Sequence, residues 1–139
     1  MLDTFKFHHI GLAVKSVDDT AAVYVAGGYT KSSTTFDPIQ NVNICWLRKE
    51  GMPLVELLAP VDETSPVNKT LEKVGVTPYH MCYIVDNIEE SVALLRKMHY
   101  IMVSKPTEAV AIKGSRVAFL FNKSVGLIEL VESPAEITD

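Results

Sequence analysis

At 139 residues the chain has the size of one domain and can bury a sizeable core without crosslinks. Apolar residues make up 47% and charged residues 22%, which excludes a disordered or collagen-like chain. A formal charge of −4 argues against nucleic acid as a partner, because counterion release needs a basic face.

In chain order, Met1-Leu2-Asp3-Thr4-Phe5-Lys6 lacks the charged-then-apolar order of a signal peptide. No apolar run approaches the length of a membrane span. Strands are expected near 7–14, 29–35, 41–49 and 53–59, with a helix near 17–26 that Gly27-Gly28 ends. Ser65-Pro66 reads as an N-cap and first-turn proline opening a linker helix over 65–74, closed by Gly75 and Pro78. Further strands are expected near 79–85, 100–104, 115–122 and 126–131. The helix near 88–98 carries Ile88, Val92, Leu95 and Met98 on one stripe, with Glu89, Glu90, Arg96 and Lys97 on a solvent face. Cys45 and Cys82 sit in apolar strand-like runs as small hydrophobes, so a reducing, cytoplasmic setting is expected. His8 and His99 read as surface residues, and the tail from Ser133 to Asp139 as frayed.

These elements repeat. His9-Ile10-Gly11-Leu12-Ala13-Val14 aligns with His80-Met81-Cys82-Tyr83-Ile84-Val85. Without a gap, Ser16-Val17-Asp18-Asp19 then falls over Asn87-Ile88-Glu89-Glu90, two N-cap signatures. Further on, Ile44-Cys45-Trp46-Leu47 matches Val117-Ala118-Phe119-Leu120, and Leu54-Val55-Glu56-Leu57-Leu58 matches Leu127-Ile128-Glu129-Leu130-Val131. The expected architecture is α+β: one domain of two tandem βαβββ modules, about 1–64 and 75–139, forming a curved mixed sheet.

Strand alternation puts His9 on one face with Gly11 and Ala13, and His80 with Cys82 and Ile84. Glu56 and Glu129 each lie inside a near-continuous apolar strand. An unpaired buried carboxylate costs several kcal/mol, so each should be paired, protonated or metal-bound. Taken alone, His9 is a strand-start histidine satisfied by a neighbour, and Glu56 ends an edge strand in water. The recurrence of one His and one Glu at equivalent places favours a shared site instead. A pseudo-twofold would face His9 and Glu56 toward His80 and Glu129 across one cleft. Such an N₂O₂ set suits a divalent Zn, Ni, Co or Mn and leaves positions open for substrate, as catalytic sites do. Lys105, Lys113, Arg116 and Lys123 form either a basic patch near the mouth or scattered surface charge.

The paired strand histidines, the two strand glutamates and the duplicated module resemble the vicinal oxygen chelate superfamily from His8 to Glu132. Within it, His9–Val14, Leu57-Leu58-Ala59-Pro60, Ser65-Pro66-Val67, Val85–Glu89, Val117–Leu120 and Leu127–Leu130 look most like the methylmalonyl-CoA epimerases. The resemblance implies a metal held by His9, Glu56, His80 and Glu129, with Glu129 also the base that moves a proton next to a carbonyl. It implies an acyl-CoA thioester or thiol adduct as substrate, and a homodimer whose cleft closes within one chain or across two. The chain departs from the epimerase pattern where Ile44 replaces a second glutamate and where Phe121-Asn122-Lys123 replaces a His-Pro-Lys turn. Glyoxalase I shares the metal set, but Ala13 and Pro60 stand where its bacterial forms hold glutathione's carboxylates. An extradiol dioxygenase would have three protein ligands rather than four. A metal-free drug-binding protein of the bleomycin-resistance type would need Trp46, Phe119 and Phe121 as a stacking groove.

Overall fold

The structure is a computed structural model describing residues 2–139, so Met1 of the opening segment lies outside it. The first half runs β1 (Lys6–Ala13), α1 (Val17–Ala26), β2 (Thr30–Lys31), β3 (Thr35–Asp37), β4 (Val42–Arg48) and β5 (Val55–Pro60). After α2 (Asn68–Val74) come β6 (Thr77–Val85), α3 (Ile88–Lys97), β7 (Ile101–Glu108), β8 (Arg116–Asn122) and β9 (Gly126–Glu132). The fold is α+β, as expected. Among the described residues, nine strands make one mixed, curved sheet in the order β2-β4-β5-β1-β6-β9-β8-β7, with β3 also on β4. β1 and β6 pair antiparallel at the centre, and each is flanked by a parallel partner, β5 or β9. Among the described residues, no helix is long and apolar enough to cross a membrane.

Local chemistry accounts for the helix starts. Ser16 Oγ accepts from Asp19 N at 3.2 Å, and Asn87 Oδ1 from Glu90 N at 3.0 Å, so both N-caps form. α3 buries Ile88, Ser91, Val92 and Leu95. Met98 leaves the expected stripe: it lies past the last helical residue and is exposed. The linker helix starts later than its sequence suggests. Ser65 is not its cap, because its hydroxyl accepts from Val61 N at 2.8 Å and donates to the Asn41 carbonyl at 2.6 Å.

The strand expected near 29–35 is broken in two. Between β2 and β3, Ser32 Oγ accepts from Trp46 N at 2.8 Å, replacing a backbone carbonyl in the ladder. The same device recurs in the second half, where Ser104 Oγ accepts from Phe119 N at 3.1 Å beside a register shift.

Apolar clusters lie under α1 and α3, and a third lines the side of the sheet away from them. The tail belongs to this third cluster rather than fraying. Ala135 and Ile137 are buried there, Thr138 N donates to the Ala111 carbonyl at 3.1 Å, and Ser33 N donates to the Asp139 carbonyl at 3.2 Å. These contacts supply what short terminal segments usually lack.

Candidate metal centre

Four adjacent strands carry the centre in two lateral rows. Trp46, Glu56, Gly11 and His80 are successive cross-strand neighbours on β4, β5, β1 and β6. His9, Cys82, Glu129 and Phe119 are the same on β1, β6, β9 and β8. In each row a small residue separates a glutamate from a histidine, and its size decides whether the long side chains can meet above it. Gly11 is the tighter case: a Cβ there would lie 2.2 Å from His80 Cε1. The space expected in front of His9 is taken by the imidazole of His80.

The four polar side chains converge. His9 Nε2 lies 3.1 Å from His80 Nε2, 3.3 Å from Glu56 Oε1 and 3.2 Å from Glu129 Oε1. His80 Nε2 lies 3.4 Å from Glu56 Oε1 and 3.1 Å from Glu129 Oε1. One ligand atom from each of the four falls within 4.8 Å of the others. All four residues are buried and all come from one chain. Trp46 and Phe119 wall the two imidazoles edge-on, at centroid separations of 5.0 Å to His9 and 5.2 Å to His80.

Electrostatics follow from this packing. Burial alone would lower His9, but the carboxylates of Glu56 and Glu129 override it and raise the imidazole to about 9. His80 is raised against burial in the same way, chiefly by Glu129. Burial would push both carboxyls up, yet the two imidazoles hold Glu56 and Glu129 below the usual carboxylate range. Burial and the nearby carboxylates push the Cys82 thiol well up, so it stays protonated at neutral pH.

The pairing is incomplete despite the short distances. Glu129 Oε1 makes no hydrogen bond, and buried His80 Nδ1 also has no partner. An orphaned carboxylate oxygen facing two imidazole nitrogens and a second carboxylate is a donor set that a divalent cation fits. His9, Glu56, His80 and Glu129 could hold one.

His8 is not the surface residue its position in a strand suggests. Half-buried, its Nδ1 lies 2.7 Å from His9 Nδ1 and its Nε2 lies 2.8 Å from the Ala135 carbonyl oxygen. Alternation hid this contact, since neighbours in a regular strand face opposite ways. The available signal was the His8-His9 doublet beside the aligned Tyr79-His80.

A cavity of about 290 Å³ opens beside the centre. Its lining includes Leu58 and Leu127, each two residues from a site glutamate on its strand, with Tyr79 and Phe119 beside His80. Of the four basic candidates, Lys105 alone lines it. Arg116 is drawn off by Glu89 at 2.6 Å and Glu132 at 3.0 Å, and Lys113 by Glu136 at 3.8 Å. Lys123 and Phe121 line a separate surface hollow with Met98 and His99. The basic patch therefore does not assemble, and Glu89 is an ion-pair partner rather than part of a plain solvent face. Nor does a stacking groove form: Trp46 is 1% exposed and donates its indole N–H to the Ala111 carbonyl at 3.1 Å.

Related sequences and a similar fold occur in known proteins. The chain is 28% identical over 131 residues to the uncharacterized protein YqjC of Bacillus subtilis, covering 91% of each. It is 28% identical over 133 residues to the mitochondrial methylmalonyl-CoA epimerase of Homo sapiens, covering 92% of this chain and 74% of that protein. A variant of the Streptomyces coelicolor methylmalonyl-CoA epimerase in complex with 2-nitronate-propionyl-CoA superposes with a TM-score of 0.81 at 28% identity, covering 94% of this chain and 98% of that one. Residues 8–119, from the His8-His9 doublet to Phe119 at the wall of the centre, match the sequence model of one family. The chain belongs to the Glyoxalase/Bleomycin resistance protein/Dioxygenase superfamily.

Proposed function

We propose that the chain is a divalent-metal-dependent isomerase or lyase that removes a proton from the carbon next to a carbonyl or thioester, most like methylmalonyl-CoA epimerase. One observation carries this reading. Four buried ionisable side chains meet at 3.1–3.4 Å, and Glu129 Oε1 among them accepts no hydrogen bond. Buried charge of this density is costly unless compensated, and a cation compensates it. His9, Glu56, His80 and Glu129 would hold Zn, Ni, Co or Mn. When bound, such an ion stabilises the negative charge that develops on a substrate oxygen as the neighbouring carbon loses its proton.

The chain's own residues supply the rest. Glu129 is the base: the imidazoles keep it ionised at neutral pH, and one of its oxygens is free of hydrogen bonds. Phe119 and Leu127 flank it across and along the sheet, and they line the cavity and keep water from the reacting carbon. Ile44 is buried among apolar residues on β4 and can donate no proton. Abstraction and return of the proton through Glu129 is thus the step this reading commits to, with inversion as a separate step.

Two observations support an acyl-CoA thioester as the substrate class: the predominantly apolar cavity lining, and the acyl-CoA analogue bound by the Streptomyces coelicolor enzyme. Ala13 and Pro60 offer no side chain to hold a glutathione carboxylate, which disfavours the glyoxalase I reaction. The internal repeat supports one domain of two modules, the two buried free cysteines support a reducing, cytoplasmic setting, and the resemblance carries with it a homodimer.

The test is solvent-deuterium exchange at C2 of methylmalonyl-CoA, followed by NMR, with metal-loaded protein and Glu129→Gln alongside. Exchange that depends on Glu129 is the expected result. Exchange no faster than in the variant would overturn the thioester substrate.

A further inference from the structure

His8 and Tyr79 hold equivalent places. Each precedes a site histidine, and each is the extra residue of a bulge in the β1–β6 pairing, at Phe7/His9 and at Gly11/Leu12. The first bulge turns His8 to the same side as His9, with the two rings edge-on and 5.0 Å apart. Tyr79 likewise packs edge-on against His80 at 5.6 Å, but it gives His80 Nδ1 no hydrogen bond.

Proton placement follows from the acceptor at the far end. The Ala135 carbonyl can only accept, so His8 Nε2 donates to it across 2.8 Å. A neutral His8 then has a bare Nδ1, and it accepts the proton of His9 Nδ1 across 2.7 Å. His9 Nε2 is left as the nitrogen that faces Glu56, His80 and Glu129, and it offers a lone pair there once the ring has shed its second proton.

We infer that His8 is a positioning residue: held by the carbonyl of the docked tail, it fixes the proton of His9 on Nδ1 and aims the Nε2 lone pair into the centre. His9 is thereby the pre-oriented ligand, while His80 is placed by packing against Tyr79, Phe119 and the space above Gly11. The consequence for cation binding rests on the metal reading above; the hydrogen bond does not.

The test uses the full chain as wild type, His8→Phe and His8→Asn. Phenylalanine fills the ring space and accepts nothing, whereas an asparagine carbonyl can stand in for Nδ1. Long-range ¹H–¹⁵N spectra of the metal-free chain, assigned with His9→Gln, should show a downfield His9 Nδ1–H signal in wild type and in His8→Asn but not in His8→Phe. Zn(II) affinity, read by chelator competition, should fall about 10–100-fold in His8→Phe and recover in His8→Asn. Absence of the signal in wild type overturns the inference, even if His8→Phe does not fold. Equal zinc affinity in all three proteins also overturns it, as does an equal loss in both variants. His8, His9 and Cys82 bring ligand atoms within 4.8 Å of one another, so a second zinc equivalent lost in His8→Phe would make His8 a ligand and overturn its positioning role. If wild type takes up no zinc, the metal reading falls, while a His9 signal that depends on His8 still sustains the positioning.

Discussion

Gly11 and His80 face each other across the central strand pair, and the His80 ring occupies the volume that any side chain at Gly11 would need. The built contact is 2.2 Å to Cε1, far inside van der Waals range. A glycine is required here by close approach. Gly11→Ala is expected to displace His80 and cost about 1–3 kcal/mol of stability, the usual range for overpacking. Denaturant melts together with metal content by mass spectrometry read both effects. Metal content unchanged from wild type would show that the ring can move aside freely.

His80→Ala should keep the fold and lower bound metal several-fold, because one of four donors goes while the strand pairing stays. Native mass spectrometry of the loaded variant measures this. A full complement of metal would mean that the shell is composed differently.

Glu129→Gln is expected to reduce C2 exchange by at least about 10²-fold, the lower end of general-base contributions. The amide keeps the shape, loses the charge and cannot take the proton. Near-wild-type exchange by NMR would remove Glu129 from the chemistry.

The metal-free chain should lose stability at high pH. His9 is raised from 6.5 to about 9, so its contribution is complete below about 6.5 and is lost as pH rises through 9. Glu129 is shifted the other way, so its contribution is present above its ordinary value of 4.5 and is lost as pH falls toward its lowered one. Stability of the EDTA-treated protein should therefore peak between these limits. Metal binding should tighten over the same rise in pH, because a ligand nitrogen must shed its proton. Calorimetry from pH 5 to 10 checks the first point; a melting temperature that does not fall on the alkaline side would contradict it.

Ile137→Ala tests the docked tail. Ile137 is buried in the same cluster as Trp46 and Ala111, so its truncation is expected to cost about 2 kcal/mol, the low end for a buried isoleucine. A cost near zero in urea unfolding would mean that the tail contributes nothing to stability.

The duplicated His and Glu, the two N-caps and the order of strands were legible in the chain because each depends on local pattern. Alternation, capping chemistry and repetition are written in residues close together in sequence. Those four residues could therefore be named as a set, and the α+β architecture with them. Three features around the centre were not legible. His8 reaches His9 only because a bulge breaks the alternation on which the surface assignment relied. Arg116 leaves the cleft because Glu89 and Glu132 bid for it from α3 and β9, and no local pattern encodes that competition. The tail docks because Ala135 and Ile137 find the far side of the sheet, a contact made across most of the chain's length. The sequence by itself determined which side chains the centre contains; the tertiary structure decided which neighbours orient them, because hydrogen bonds and ion pairs between distant strands are set by register and bulges.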